Sequence, residues 1–146
     1  MKLKRNSNII IAKNKMSKAN TVLEPLDYYK WVEFIDNHSD FFIWKENTPE
    51  GIQILKSIND IPKDFRERVL GSLNKTNCYA DFDNKKGHFN IRVGFGGKYN
   101  WISIDFARKP KPKDLNIFIE MAKYLDAYLL FNGTKIINED TLNDLT

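Results

Sequence analysis

Cysteine is almost absent from this chain of 146 residues, which contains only Cys78. A single cysteine forms no intrachain disulfide, and it cannot build a cysteine-based zinc site. The two histidines, His38 and His88, are far apart in the sequence and have no metal-ligand spacing around them. We therefore predict no metal site and no cofactor, and a reducing compartment such as the cytoplasm.

Long apolar runs are also missing, because Lys, Asp or Glu interrupts every stretch before it reaches the roughly 18 residues of a membrane-spanning helix. The basic start, MKLKR, is followed by the apolar run Ile9–Ala12. That run is too short for the hydrophobic region of a secretory signal. The sequence thus predicts a cytoplasmic protein with no membrane partner.

Apolar residues, in contrast, make up 42% of the chain and aromatic residues 13%, which is enough for a folded core. Residues 1–24 hold six basic side chains against Glu24, so this segment carries +5 of an overall +4 and the remainder carries −1. We predict a basic flexible tail at residues 1–24 and a single α+β domain at residues 25–146. An alternative interpretation is that translation starts at Met16.

Helical patterns occupy the first half of the predicted domain. Asp27 is a suitable N-cap for an amphipathic helix to about residue 37, and Thr48 followed by Pro49 starts a second to about residue 58. Pro62 opens a third, to about residue 73. We expect these helices to pack on a sheet.

Strand patterns follow. Residues 78–83, 88–95 and 99–106 alternate between apolar and polar side chains, and glycine-containing turns separate them. A helix over 114–126, a short hairpin over 127–137 and a helical turn capped by Asn138 complete the prediction. The predicted fold class is therefore α+β, with N-terminal helices on an antiparallel meander of three strands.

One parity of the meander is apolar, and the other combines charged and aromatic side chains. Rigid aromatic side chains and arginine contribute much of the energy of protein interfaces. We therefore predict a partner-binding surface on the polar face and the adjoining basic loop, formed by Tyr79, Asp81, Arg92, Trp101, Asp105 and Arg108. The alternative is an ordinary solvated face, with cross-strand ion pairs from Asp81 or Asp105 to Arg92.

No motif in the sequence assigns catalytic residues, so we lean against an enzyme. Two further hypotheses stay open. The basic tail and the loop 108–113 are suited to contacts with nucleic acid, which would weaken steeply with salt. Alternatively, Asp81, Asp105 and Arg92 could act on a small ligand, since paired carboxylates can share acid and base roles.

Three segments carry a resemblance to known proteins: WISIDFARKP at 101–110, FIEMAKYLDAYLL at 118–130, and Asn132-Gly133. In these segments the chain resembles small uncharacterised α+β proteins of bacteria. Its expected architecture is also similar to that of immunity proteins of bacterial toxin systems, which bind and block a cognate toxin. The resemblance assigns a role to no individual residue. The aromatic and charged face, together with the lack of a catalytic motif, leads us to expect a non-enzymatic protein-binding domain, and an immunity-type role is one version of it.

Overall fold

A seven-stranded, fully antiparallel sheet organises the fold, in a computed structural model that describes residues 2–144. The strands are β1 Ile9–Ala12, β2 Ile43–Trp44, β3 Asn77–Asp83, β4 His88–Gly96, β5 Trp101–Phe106, β6 Tyr128–Phe131 and β7 Lys135–Ile137. Their order across the sheet is β2-β3-β4-β5-β1-β6-β7. The prediction of a three-stranded meander is therefore wrong, because β3, β4 and β5 are only one part of a larger sheet.

Strand β1 joins the two halves of this sheet. Ile10 lies opposite Ser103 of β5 on one side and opposite Leu130 of β6 on the other. All four residues of β1 are buried, since layers cover both faces of this central strand. Residues 9–12 thus belong to the fold, although the sequence analysis places them in a flexible tail.

The helices are α1 Tyr28–Asn37, α2 Pro49–Lys56, α3 Lys63–Ser72, α4 Asn116–Tyr124 and α5 Glu139–Leu142. The caps expected from the sequence are present. Asp27 Oδ1 accepts a hydrogen bond from the Lys30 N–H at 3.1 Å, and Thr48 Oγ1 accepts one from the Gly51 N–H at 3.0 Å. Helices α1 and α4 contribute Trp31 and Phe118, both fully buried, to the main core on one face of the sheet.

The opposite face of the sheet carries a second, smaller apolar cluster. Ile10 and Ala12 point to this face because they alternate along β1 with Ile9 and Ile11, which belong to the main core. Val22, from the segment that follows β1, covers them. Over β4 and β5, this face presents Arg92 and Asp105, whose side chains are about half exposed.

Helices α2 and α3 contribute little to the core. Gly51 is the only residue of α2 that is buried, and α3 has none among its ten residues. Phe65 and Leu70 of α3 keep 56% and 42% of their surface exposed. Among the described residues, no helix has the length and apolar character needed to cross a membrane.

Candidate functional site

Tyr79, Arg92 and Asp105 lie side by side on three adjacent strands. The register places Arg92 of β4 directly opposite Tyr79 of β3 and opposite Asp105 of β5. Arg92 Nη1 donates to Asp105 Oδ2 at 2.9 Å, and Arg92 Nη2 donates to Asn77 Oδ1 at 3.0 Å. The expected cross-strand ion pair between Arg92 and Asp105 is therefore present. Both side chains are about half exposed, so the pair is open to a partner.

Aromatic rings flank this ion pair at both ends. At one end, the Tyr79 and Phe89 ring centroids are 5.4 Å apart, and Phe82 meets Phe89 edge to face at 5.0 Å. At the other end, Tyr99 stacks on Trp101 at 5.1 Å. We call this surface the aromatic face, consisting of Tyr79, Phe82, Phe89, Arg92, Tyr99, Trp101 and Asp105.

Trp101 belongs to this surface only in part. It lies opposite Gly96, on the face that Arg92 shares, and it also packs against the small apolar cluster around Ile10. It is therefore half-buried, and its substitution would disturb packing as well as any contact with a partner. Phe82 and Tyr99, with 50% and 54% of their surface exposed, are the more accessible rings.

Asp81 and Arg108, the other two predicted site residues, lie apart from the aromatic face. Asp81 has a positive φ of 59°, which is uncommon for a residue other than glycine, and the apolar alternation of the hairpin breaks there. Asn90 and Ile91 are both buried although they are neighbours on β4. Consequently Asp81 faces Asn90 and Arg108 instead of Arg92, and the sequence prediction of a single polar face does not hold at this position.

Arg108 joins Asp81 to Asp114, just before α4. Its Nη1 and Nη2 atoms donate to the two oxygens of Asp114 at 2.7 and 3.1 Å, and Nε and Nη2 donate to Asp81 Oδ2 at 3.1 and 2.9 Å. Burial raises the pKa of Asp114, but the hydrogen bonds from Arg108 and from the Lys111 N–H outweigh it and hold the pKa below its usual range. The hydrogen bond to Asp114 raises the pKa of Arg108 despite partial burial. This network links the hairpin of β3 and β4 to the segment before α4.

An open cleft of about 770 Å³ lies over this network. It separates the turn between β3 and β4 from the loop that follows β5, and Phe41 stands at its edge. Its lining residues include Asp40, Phe41, Asp81, Phe82, Asp83, Asn84, Lys85, Asn90, Arg108, Lys111, Lys113 and Asp114.

Two residues of the cleft, Asn90 and Asp114, were not predicted as site residues from the sequence. Asn90 and Asp114 lie on segments assigned to a solvated face and to a helix start, and only the break at Asp81 brings them together. Cys78 is fully buried, and burial raises the pKa of its thiol, so it is a packed side chain instead of a nucleophile. Within residues 2–144, no cluster of three His, Cys, Asp or Glu side chains is arranged to hold a metal ion.

The chain matches no protein-family model, no curated protein and no solved structure. We therefore infer its function from the geometry of the aromatic face and of the cleft.

Proposed function

We propose that this chain is a non-enzymatic protein-binding domain and that its aromatic face contacts a protein partner. The observation that carries the proposal is the exposure of aromatic rings on both sides of the Arg92–Asp105 ion pair. Aromatic residues and arginine are enriched at the energetic centres of protein interfaces. The face is supported by three paired strands, so its side chains need little ordering when a partner binds.

Two further features favour this role over the alternatives. Asp81 and Asp105 occupy separate networks, each neutralised by its own arginine, so the carboxylate pair required by the enzyme hypothesis is not assembled. A nucleic-acid-binding arm needs a free segment, whereas residues 9–12 are held between two strands. A specific version of the proposal is an immunity-type role, in which the face covers a partner toxin.

The test is photo-crosslinking in cells of the source organism. A benzophenone amino acid replaces Tyr79 on the aromatic face and, as a matched control, Glu120 on the exposed side of α4. We expect one reproducible crosslinked protein from position 79 and none from position 120. The product should disappear when Arg92→Ala and Tyr99→Ala are added, because these changes remove the charge and a ring from the face.

The stability of each variant must be measured together with its crosslinking. Arg92 forms an exposed ion pair, so Arg92→Ala should change the free energy of unfolding by only about 0–1 kcal/mol. Trp101 is unsuitable as the first variant because it packs on the cluster around Ile10. Identical crosslinks from positions 79 and 120, or a product that survives the double substitution, would contradict the proposal.

A further inference from the structure

The cleft over the Arg108 network is a second candidate binding site, independent of the aromatic face. Its volume of about 770 Å³ lies within the range of small-molecule sites, roughly 300–1,000 Å³. Phe82 borders both surfaces, but Tyr79, Arg92 and Trp101 do not line the cleft. The two sites can therefore be tested separately.

Arg108 lines this cleft, and its N–H groups already donate hydrogen bonds within the protein. Its guanidinium has five N–H groups, and all of them donate to Asp81, to Asp114 or to the Lys109 carbonyl. It therefore has no N–H left over for a ligand anion. Its role is to fix the positions of the two carboxylates, as a preorganised site requires.

Two side-chain oxygens of residues that line the cleft accept no hydrogen bond from the described part of the chain. Asn90 is only 8% exposed, and its Nδ2 donates to Asp81 Oδ2 at 3.1 Å, so its Oδ1 points away from that bond. Within the part of the chain that the structure describes, Asn90 Oδ1 and Asp81 Oδ1 accept no hydrogen bond. Among the described residues neither oxygen is a buried unpaired atom, so both are open to solvent in the cleft, and the hydroxyl group of a ligand can replace the water that solvates them.

Acidic and basic side chains are equal in number around the cleft, which favours a ligand without net charge. Four carboxylates and four cations line it: Asp40, Asp81, Asp83, Asp114, Lys85, Arg108, Lys111 and Lys113. An anion in the cleft would lie near carboxylates, and a cation would lie near basic side chains. A ligand that both donates and accepts hydrogen bonds without a net charge fits these groups best, and hydroxyl groups have this property.

Two exposed aromatic rings complete the site. Phe41 and Phe82 line the cleft with 40% and 50% of their surface exposed. An apolar ring beside paired polar groups matches a molecule with one C–H surface and a rim of hydroxyls. We propose that the cleft binds a neutral carbohydrate, whose hydroxyls donate to Asn90 Oδ1 and Asp81 Oδ1 and whose ring packs on Phe41.

The test is NMR titration of the isotope-labelled full chain. The probes are four neutral trisaccharides that differ in sugar unit or linkage (maltotriose, cellotriose, xylotriose and N,N′,N″-triacetylchitotriose), with inorganic phosphate and Mg²⁺ as charged probes. We expect at least one trisaccharide to shift the side-chain amide signals of Asn90 in a saturable manner. If no trisaccharide does so, or if only phosphate or Mg²⁺ does, the proposal is overturned.

Substitutions test whether the trisaccharide binds in the cleft. Phe41→Ala should weaken trisaccharide affinity about tenfold, and Asn90→Ala should weaken it by a similar factor if the protein remains folded. Phe41 is the safer of the two because it is exposed at the edge of the cleft. Tyr29→Ala removes an exposed ring on α1 that does not line the cleft, so it serves as the matched control and should leave the affinity unchanged. Affinity that is insensitive to Phe41→Ala, or that falls as much with Tyr29→Ala, would refute binding in the cleft.

Discussion

Strand β1 and helix α3 depart from their sequence patterns in opposite directions. Strand β1 follows a basic, polar start and is buried along its whole length. Helix α3 has Phe65, Val69 and Leu70 in an amphipathic arrangement, yet none of its residues is buried. The difference lies in their neighbours. Strand β1 has a paired strand on each side, and its four residues belong to the apolar clusters on the two faces of the sheet, whereas no residue of α3 belongs to either cluster.

Strand β1 and helix α3 therefore differ in whether the core holds their side chains or leaves them exposed to a binding partner. The three isoleucines of β1 are bound by contacts to residues far away in the sequence, so the segment cannot be removed without opening the sheet. No side chain of α3 is buried, and the aromatic face, although its strands are paired, leaves Phe82 and Tyr99 about half exposed. We therefore expect binding surfaces on exposed regions such as α3 and the aromatic face, and not on β1.

Removal of β1 should have the largest effect. A chain that begins at Met16 lacks the strand between β5 and β6, so both strands gain an unpaired edge and the main core loses Ile9 and Ile11. We expect this chain not to fold cooperatively, as measured by urea unfolding followed by circular dichroism.

A synthetic peptide of residues 2–15 provides the control. Added in trans, it should restore cooperative unfolding, whereas the same peptide with Ile9→Ala and Ile11→Ala should not. A truncated chain as stable as the full chain would show that β1 is dispensable and would remove the contrast with α3.

Single substitutions compare the two regions more finely. Ile11→Ala should lower the free energy of unfolding by roughly 2–5 kcal/mol, because this side chain is fully buried in the main core. Leu70→Ala in α3 should change it by less than about 1 kcal/mol, because Leu70 is 42% exposed and alanine favours helix. Chemical denaturation of both variants measures the difference. Equal losses would contradict the burial assigned to each region.

Acid should loosen a third region, the loop that Asp114 anchors. The pKa of Asp114 is lower in the folded chain than the value of about 3.9 expected when unfolded. Its ionised form therefore stabilises the fold above that pH, and this contribution is lost as the pH falls through the folded-state pKa. Asp114→Asn should cost roughly 1–3 kcal/mol at pH 7 and should flatten the loss of stability below pH ~4.

Unfolding at a series of pH values checks this prediction, with Asp144→Asn, outside every element and exposed, as the control. If Asp114→Asn follows the same acid profile as the original chain, the Arg108 network does not stabilise the fold in the way described.

Two glycines offer the smallest and most closely matched comparison. Gly133 has a φ of +76°, and a Cβ at this position would collide with the Met16 side chain, so Gly133→Ala should destabilise by about 1–2 kcal/mol. Gly71 lies in α3 with open space around it, so Gly71→Ala should stabilise by about 0.5–1 kcal/mol. Thermal unfolding of the two variants measures whether each substitution lowers or raises the stability. A stabilising Gly133→Ala would mean that Met16 does not pack there.

The sequence alone was sufficient for features that depend on neighbouring residues. Asp27 and Thr48 mark helix starts because a cap bonds to an amide only three residues away. The meander strands are visible because one face is apolar and the other polar. Such signals do not depend on distant parts of the chain.

The remaining features depend on contacts that the sequence does not display. Residues 9–12 show no alternation because both faces of β1 are buried, so their run of apolar side chains is ambiguous. The reversal at Asp81 depends on a local φ of 59° and moves Asp81 away from Arg92. For this reason four of the six predicted site residues share one face, and Asp81 and Arg108 lie at another site.

Hydrogen exchange of the backbone amides tests the contrast between β1 and α3 most directly. Strand β1 is paired on both sides, so amides of residues 9–12 should exchange as slowly as those of β4 and β5. Amides of residues 63–72 should exchange faster, because no buried side chain holds α3 in place. Fast exchange at residues 9–12 with continued protection of β3, β4 and β5 would show that β1 is a detachable tail and would contradict the seven-stranded sheet.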